Sequence, residues 1–294
     1  MKFHTDDYFV IGGQHVIEGK PCQDHTLSGT FDRSAYAIVS DGCSSGALTD
    51  IGARLATTSA RTAIQNHWNA TQKPSADAAQ DIALQQRVIL RSVRSTLGLS
   101  RQDMLATCMY AYVSPDGGLV HIRGDGVLAM AFKGHTYRLY KYEWQNNAPL
   151  YPAYADDEFA SFTEFHGGDN ALALTEHIML FADGEWTELS PEKHTVTAGI
   201  RGITVRISKK EMKELEYIAL MSDGASQVDN VEWRDAALDL AMFKNAEGAF
   251  AKRRMIRFLK ESKKKGDGPI DDISIAVIRI ESTEGEDDGR QSES

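Results

Sequence analysis

The sequence predicts an α+β fold in which antiparallel sheets pack together and helices cover their outer faces. Three observations lead to this prediction. Two helical segments follow the first strands, several short alternating runs occupy the middle, and two helical segments precede a last strand. Apolar residues at every second position indicate strands, whereas a spacing of three to four indicates helices. Strands and helices grouped in this order are typical of layered α+β domains.

The first half of the chain contains a strand over Tyr8–Ile11, a strand that ends at Asp41, and two helices. The first strand runs into two glycines, and a loop with glycine and proline follows. We expect the first helix to run from Thr49 or Asp50 to Trp68, because both residues are good caps. The second helix is expected over 75–97 with one apolar side. That side is formed by Ile82, Val88, Ile89 and Val93.

The middle of the chain indicates an antiparallel meander with hairpin turns. Its strands are expected over 106–113, 119–123, 127–132 and 136–142. Residues 144–170 are expected to be irregular. The remaining elements alternate between short apolar runs and helical periodicity. We expect strands over 178–181, 203–207 and 217–222, helices over 229–244 and 246–264, and a final strand over 273–280.

Composition and charge exclude several classes of protein. The 294 residues are 42% hydrophobic and 25% charged, as in ordinary globular proteins. No apolar stretch approaches the roughly 20 residues that span a bilayer, and the amino terminus lacks the apolar core of a secretory signal. Three cysteines without C-x-x-C spacing argue against a disulfide framework or a cysteine-based zinc site. These features favour a cytoplasmic protein with no membrane segment.

The carboxyl-terminal segment carries much of the net charge of −10. Residues 281–294 contain six acids and one arginine and have no apolar core residues, so we expect a disordered acidic tail after a single domain over 1–280. The rest of the chain is only mildly acidic. Nothing in it indicates nucleic-acid binding.

Acidic residues stand at the ends of three predicted strands. Asp41-Gly42 and Asp223-Gly224 each end an apolar run, and Asp271-Asp272 opens the last one. Ionised carboxylates at buried strand ends are costly unless a positive charge meets them, and divalent cations are their usual partners. The three positions therefore predict one metal site. Asp183-Gly184 has the same form, but Glu185-Trp186 follows it instead of a small-residue turn, so we prefer Asp223.

Five motifs in order resemble the PP2C-type metal-dependent serine/threonine phosphatases, and most closely their compact bacterial branch. The motifs are Gln23-Asp24, Ser40-Asp41-Gly42, Gly124-Asp125-Gly126, Ser222-Asp223-Gly224 and Asp271-Asp272-Ile273-Ser274. The resemblance implies an α/β/β/α sandwich of two antiparallel sheets flanked by helix pairs. It also implies hydrolysis of phosphoserine and phosphothreonine in proteins by a water that bridges two metal ions. The ions would be Mn²⁺ or Mg²⁺, which prefer oxygen ligands.

By the same resemblance, individual residues acquire expected roles. Asp41 would bridge the two ions, with the Gly42 carbonyl on one of them, and Asp223 and Asp271 would bind the other. Asp24 would act through metal-bound water, and Asp41 and Asp223 are the expected catalytic residues. A weak third ion site is expected near Asp125. The implied partners are a phosphorylated protein and a cognate serine/threonine kinase in bacterial signalling, and we expect a monomer.

Four positions depart from the pattern of this family. Gly19 stands where an arginine usually grips phosphate, which leaves Lys20 as the expected substrate-binding cation. Gln23 replaces an acid, Cys43 replaces a frequent histidine, and Gln227 replaces an acid that serves a third ion. These departures keep a second hypothesis open, namely a catalytically weak or inactive binding or regulatory module with the same fold.

A different class of enzyme is also compatible with one short motif. Gly42-Cys43-Ser44-Ser45-Gly46 matches G-x-S-x-G between a strand and a helix, where Ser44 would be a hydrolase nucleophile. Asp183 and His194 follow in the order such a triad needs. The alternating strands downstream fit a parallel hydrolase sheet poorly, so this is the weakest of the three hypotheses.

Overall fold

The computed structural model describes residues 1–156, 159–266 and 268–282. Within these residues the chain forms two antiparallel sheets and eight α-helices. The strands are β1 (Lys2–Val10), β2 (His25–Phe31), β3 (Ser34–Ser40), β4 (Cys108–Ser114), β5 (Gly117–Arg123), β6 (Gly126–Phe132), β7 (Thr136–Trp144), β8 (Leu172–Ala182), β9 (Glu185–Thr195), β10 (Ile203–Ser208), β11 (Leu215–Met221) and β12 (Ile273–Glu281). The helices are α1 (Gly13–Glu18), α2 (Thr49–Thr71), α3 (Ala78–Leu97), α4 (Phe159–Phe165), α5 (Val196–Arg201), α6 (Lys209–Glu214), α7 (Trp233–Ala241) and α8 (Phe250–Lys265).

The two sheets face each other across the main core. The larger sheet has the order β1-β12-β11-β6-β7-β8-β9, and the smaller has the order β10-β5-β4-β3-β2. Apolar side chains from both sheets, such as Val39 and Met109 from one and Leu128 and Ile218 from the other, share one buried cluster. Burial of such side chains is the main term that stabilises the sandwich.

Helix pairs cover both outer faces. Ile64 of α2 and Ile82 of α3 pack in one cluster with Ile38 and Tyr110 of the smaller sheet. On the larger sheet, α7 and α8 pack against strands β6, β11 and β12. The α/β/β/α sandwich predicted from the sequence is therefore confirmed. No helix in the described part of the chain is long and apolar enough to cross a membrane.

Two local predictions were wrong. Val88 is 68% exposed, because the buried positions of α3 recur every fourth residue and Val88 lies off that line. Those buried positions are Ala78, Ile82, Gln86 and Leu90. In addition, Gly124-Asp125-Gly126 does not form a hairpin turn. The chain crosses there from β5 in the smaller sheet to β6 in the larger one, with Gly124 and Gly126 at φ of 120° and 129°.

Other elements extend or add to the prediction. Strand β2 begins at His25, the last residue of the expected loop, and continues through residues for which no element was predicted. Strand β9 is an exposed edge strand with many polar residues, which hides its periodicity. The irregular segment 144–170 contains the helix α4 and two short 3₁₀ turns. Most of the predicted acidic tail, from residue 283 onward, lies outside the described residues.

Candidate active site

Five aspartates from distant parts of the chain meet at one end of the sandwich, and we call them the acidic cluster. Four lie at strand ends or in the loops beside them, and the fifth lies on the crossover from β5 to β6. Its members are Asp24, Asp41, Asp125, Asp223 and Asp271. Burial raises the pKa of Asp41 well above its ordinary value, and the charges of the four other members raise it further. Such a concentration of negative charge favours binding of cations.

Asp24 is held by a residue next to Asp223. The Ser222 hydroxyl donates a hydrogen bond of 2.6 Å to Oδ2 of Asp24, and the backbone N–H of Ser274 donates to the Ser222 oxygen at 3.0 Å. The other carboxylate oxygen, Oδ1, is buried and has no hydrogen-bond partner among the described residues. Burial raises the pKa of Asp24 to about 8. A buried carboxylate oxygen without a donor is suited to a cation or a water bound to one.

Asp41 and Gly42 are positioned by backbone contacts on both sides. The Asp41 N–H donates to the Thr107 hydroxyl at 3.0 Å, and the Gly42 N–H donates to the Gln23 carbonyl at 3.1 Å. A Cβ on Gly42 would lie 2.7 Å from the Thr49 carbonyl oxygen. Only glycine permits this approach, which brings Asp41 beside the loop that carries Asp24.

Asp223 follows β11 and is bound by an amide. Nε2 of Gln227 donates to Asp223 Oδ2 at 2.5 Å. Burial raises the pKa of Asp223 to about 6, the charge of Asp271 adds to this effect, and hydrogen bonds with Asp41 and Gln227 oppose it. Gln227, which replaces an acid of the family pattern, therefore orients the Asp223 carboxylate through its side-chain amide.

Asp271 is fixed by its neighbour Asp272, to which the sequence analysis gave no role. The Asp272 carboxylate accepts hydrogen bonds from the backbone N–H groups of Gly12 at 2.7 Å and Gln23 at 2.5 Å. Nδ1 of buried His15 lies 3.0 Å from Asp272 Oδ2 and 3.8 Å from Asp271 Oδ1. We call Asp272, Gly12, Gln23 and His15 the carboxylate clasp. The only sequence signal for it was the second acid of the pair.

Asp125 completes the cluster from the crossover between the sheets. Burial raises its pKa well above the ordinary value, and the charge of Asp223 contributes. Its Oδ1 is buried and has no hydrogen-bond partner among the described residues.

The carboxylate oxygens of the acidic cluster are suited to hard divalent cations. The distances between these oxygens indicate whether the cluster fits one ion or two. Among the described residues, no three members of the acidic cluster bring carboxylate oxygens within 4.8 Å of one another, whereas His15, Asp271 and Asp272 do. Ligands shared by two ions about 3.5–4 Å apart span a wider region than the ligands of one ion. The cluster is thus more open than a single closed site.

The part of the site that is predicted to bind phosphate has Gly19 in place of the usual arginine. Gly19 closes α1 in a left-handed conformation, with φ of 68°. Nζ of Lys20 lies 2.7 Å from a carboxylate oxygen of Glu18 and 3.5 Å from the Ser44 carbonyl oxygen. Cys43 lines a cavity of about 360 Å³ together with Tyr151. Burial acts to raise the pKa of the Cys43 thiol, but hydrogen bonds from Ser45 and Tyr151 outweigh it and the pKa is lowered.

The structure supports neither Asp183 as an alternative to Asp223 nor Ser44 of the G-x-S-x-G motif as a nucleophile. Asp183 is exposed in the turn between β8 and β9, with φ of 53°. Ser44 is also exposed, and the sheet that contains β3 is antiparallel, unlike the parallel sheet of a hydrolase with a nucleophile elbow.

Comparison with known proteins identifies the same fold. A family model described as protein phosphatase 2C matches residues 11–265. A search of curated proteins finds no significant match. A bacterial serine phosphatase is 10% identical with a TM-score of 0.54, covering 97% of this chain and 100% of its own. A serine/threonine phosphatase from Staphylococcus aureus is 11% identical with a TM-score of 0.53, covering 96% of each chain. The serine/threonine phosphatase PstP from Mycobacterium tuberculosis is 13% identical with a TM-score of 0.52, covering 96% and 100%.

Proposed function

Because the chain belongs to the protein phosphatase 2C family, we propose that it hydrolyses phosphoserine and phosphothreonine in proteins, with two Mn²⁺ or Mg²⁺ ions bound by the acidic cluster. The observation that carries this proposal is the convergence of Asp41 with four other aspartates, of which Asp24 and Asp125 are buried. Without cations, so many carboxylates in one place repel one another, which is a cost that metal binding removes. The natural substrate would be a cytoplasmic protein phosphorylated by a serine/threonine kinase.

Each residue would act through its position. Two ions bound here would lower the pKa of a water molecule and neutralise charge on the phosphoryl group. The charges of all four other members act on Asp41, which suits it to contact both ions. Asp223 and Asp271 would hold one side, oriented by Gln227 and the carboxylate clasp. Asp24, oriented by Ser222, would hold a proton of a bound water through its free Oδ1.

A second candidate function is a binding module that retains the fold with little turnover. The ion pair between Lys20 and Glu18 favours it, because this lysine would have to leave Glu18 to grip phosphate. Gly19 has no side chain to do so. Weak binding of phosphate lowers the rate for a given substrate concentration but leaves the metal site intact.

The test compares two Asp-Gly pairs of the acidic cluster with a third Asp-Gly pair in an exposed turn. Purified protein with Mn²⁺ is assayed on a phosphothreonine peptide, and Asp41→Asn and Asp223→Asn are expected to lower kcat/KM by at least ~100-fold. Asp183→Asn, in the exposed turn of the same form, is the control and should leave activity unchanged. Activity that survives EDTA, or that is equal in Asp41→Asn, would overturn the metal mechanism. Binding of Mn²⁺ by the wild type without turnover would support the binding module instead.

A further inference from the structure

A second group of metal-ligating side chains lies on the far strands of the larger sheet. Glu176 on β8 and both Glu192 and His194 on β9 place their ligand atoms within 4.8 Å of one another. We call these three residues the β8–β9 triad. It shares no residue with the acidic cluster or the carboxylate clasp, and the phosphatase proposal makes no use of it.

The strand register brings like charges into direct opposition. Glu176 and Glu192 are paired residues of the antiparallel ladder, and such like-charged pairs are destabilising without a compensating charge. Glu176 is also buried, with 6% of its surface exposed. In the described residues, no lysine or arginine lies within ion-pair distance of either glutamate, and His194 is the ion-pair partner of Glu176. A bound cation would offset the second negative charge of this arrangement.

The backbone conformation of β8 and β9 directs the side chains of the β8–β9 triad toward one point. Between Glu176 and Ile178 of β8, the partner strand runs from Glu192 to Leu189 and so carries one extra residue. A bulge of this kind twists a strand and redirects its side chains. Beyond the bulge, Glu192 and His194 are two positions apart on β9 and so project from the same face.

The buried glutamate is already oriented by a neighbour. The Tyr142 hydroxyl on β7 donates a hydrogen bond of 2.8 Å to Glu176 Oε1, and Nε2 of His194 lies 2.8 Å from Glu176 Oε2. A hydrogen bond that fixes one oxygen while the other faces the site is typical of the support around metal ligands. Tyr142 would remain in that role when an ion replaced the contact between His194 and Glu176.

From this geometry we infer that the β8–β9 triad binds a Zn²⁺ ion. Zn²⁺ binds both imidazole nitrogen and carboxylate oxygen in four-coordinate sites, and three protein ligands leave a fourth position for water. Tetrahedral ligands at ~2.1 Å from zinc are about 3.4 Å apart, so a small rotation of exposed Glu192 closes the site. Mg²⁺ and Mn²⁺ prefer oxygen ligands and should compete poorly where an imidazole takes part.

The experiment measures Zn²⁺ itself, because activity would report on the other site. Isothermal titration calorimetry is performed on the full chain carrying Asp41→Asn and Asp223→Asn, so that the acidic cluster binds metal weakly. A Zn²⁺-binding site is expected whose affinity falls at least ~10-fold in His194→Ala or Glu192→Gln made in this background. Glu188→Gln, on the same exposed strand, is the matched control and should change nothing.

Two outcomes would overturn the inference. One is the absence of Zn²⁺ binding in the background protein, and the other is equal affinity in His194→Ala and its parent. Circular dichroism and the melting temperature of each variant show whether the protein has folded. If His194→Ala does not fold, His194→Asn keeps a hydrogen-bonding group and serves in its place. Cobalt substitution gives an independent readout, since tetrahedral Co²⁺ absorbs visible light far more strongly than hydrated octahedral Co²⁺, and His194→Ala should lose this strong absorption. These results do not depend on whether the protein hydrolyses phosphoproteins.

Discussion

The hydroxyl of Ser222 donates a 2.6 Å hydrogen bond to Oδ2 of Asp24, although the two residues are 198 positions apart. The same hydroxyl oxygen accepts a hydrogen bond from the N–H of Ser274. One small side chain thus joins the loop before β2 to the end of β11 and the start of β12. These are three of the segments that supply the acidic cluster.

Replacement of Ser222 by alanine is expected to weaken both the fold and the metal site. The change leaves one oxygen of buried Asp24 without its donor, which should lower the free energy of unfolding by about 1–3 kcal/mol. Mn²⁺ affinity should fall as well, because Asp24 loses its orientation. Urea denaturation and calorimetric Mn²⁺ titration measure the two effects. Ser92→Ala, on the exposed side of α3, is the control. Unchanged Mn²⁺ affinity in Ser222→Ala would mean that Asp24 is not part of the metal site.

Stability of the metal-free protein is expected to fall as the pH rises from about 4 to about 8. The pKa of Asp24 is raised to about 8 and that of Asp223 to about 6, mainly by burial, from an ordinary value of 3.8. In this window the folded protein holds protons that the unfolded chain has released, so raising the pH favours unfolding. Mn²⁺ replaces these protons. Its stabilising effect should therefore grow with pH.

Thermal unfolding with and without Mn²⁺ measures this linkage. The increase in melting temperature caused by saturating Mn²⁺ should be larger at pH 7.5 than at pH 5.5 by roughly 5 °C. The variant Asp24→Asn, which cannot release a proton there, should show a smaller difference between the two pH values. An increase that is the same at both pH values would show that metal binding is not coupled to these carboxylates.

Two adjacent glycines should respond very differently to alanine. A Cβ on Gly12 would lie 2.1 Å from the carbonyl carbon of Asp271, whereas a Cβ on Gly13 meets nothing closer than 3.6 Å. Gly12→Ala must displace the backbone of Asp271 and is expected to cost more than about 2 kcal/mol of stability. Gly13→Ala lies in α1 and should be neutral or stabilise by up to about 1 kcal/mol.

Chemical denaturation of the two glycine variants measures these changes, and Mn²⁺ titration shows whether Asp271 has moved away from the site. Gly12→Ala should lose Mn²⁺ affinity as well as stability, since the same backbone carries a proposed ligand. Equal stability of the two variants would contradict the close packing of the β1–α1 turn on Asp271.

The sequence alone predicted the long helices, most strands and the strand-end aspartates that the structure brings together. Helices α2 and α3 have clear apolar periodicity, and the carboxylates of Asp41, Asp223 and Asp271 follow or precede apolar runs that indicate buried strands. These are local properties, in which the type of each residue and its spacing along the chain suffice. Strand β9 escaped prediction because an exposed edge strand needs no apolar face.

Only the tertiary structure decided which distant residues meet. That Gly124-Asp125-Gly126 joins two sheets instead of two hairpin strands depends on how β5 and β6 choose their partners. The carboxylate clasp of Asp272 and the β8–β9 triad likewise depend on packing and on one extra residue in a strand. Such contacts join segments far apart in the chain, and no short-range pattern records them. The physical reason is that burial and charge act through space, whereas propensity acts along the sequence.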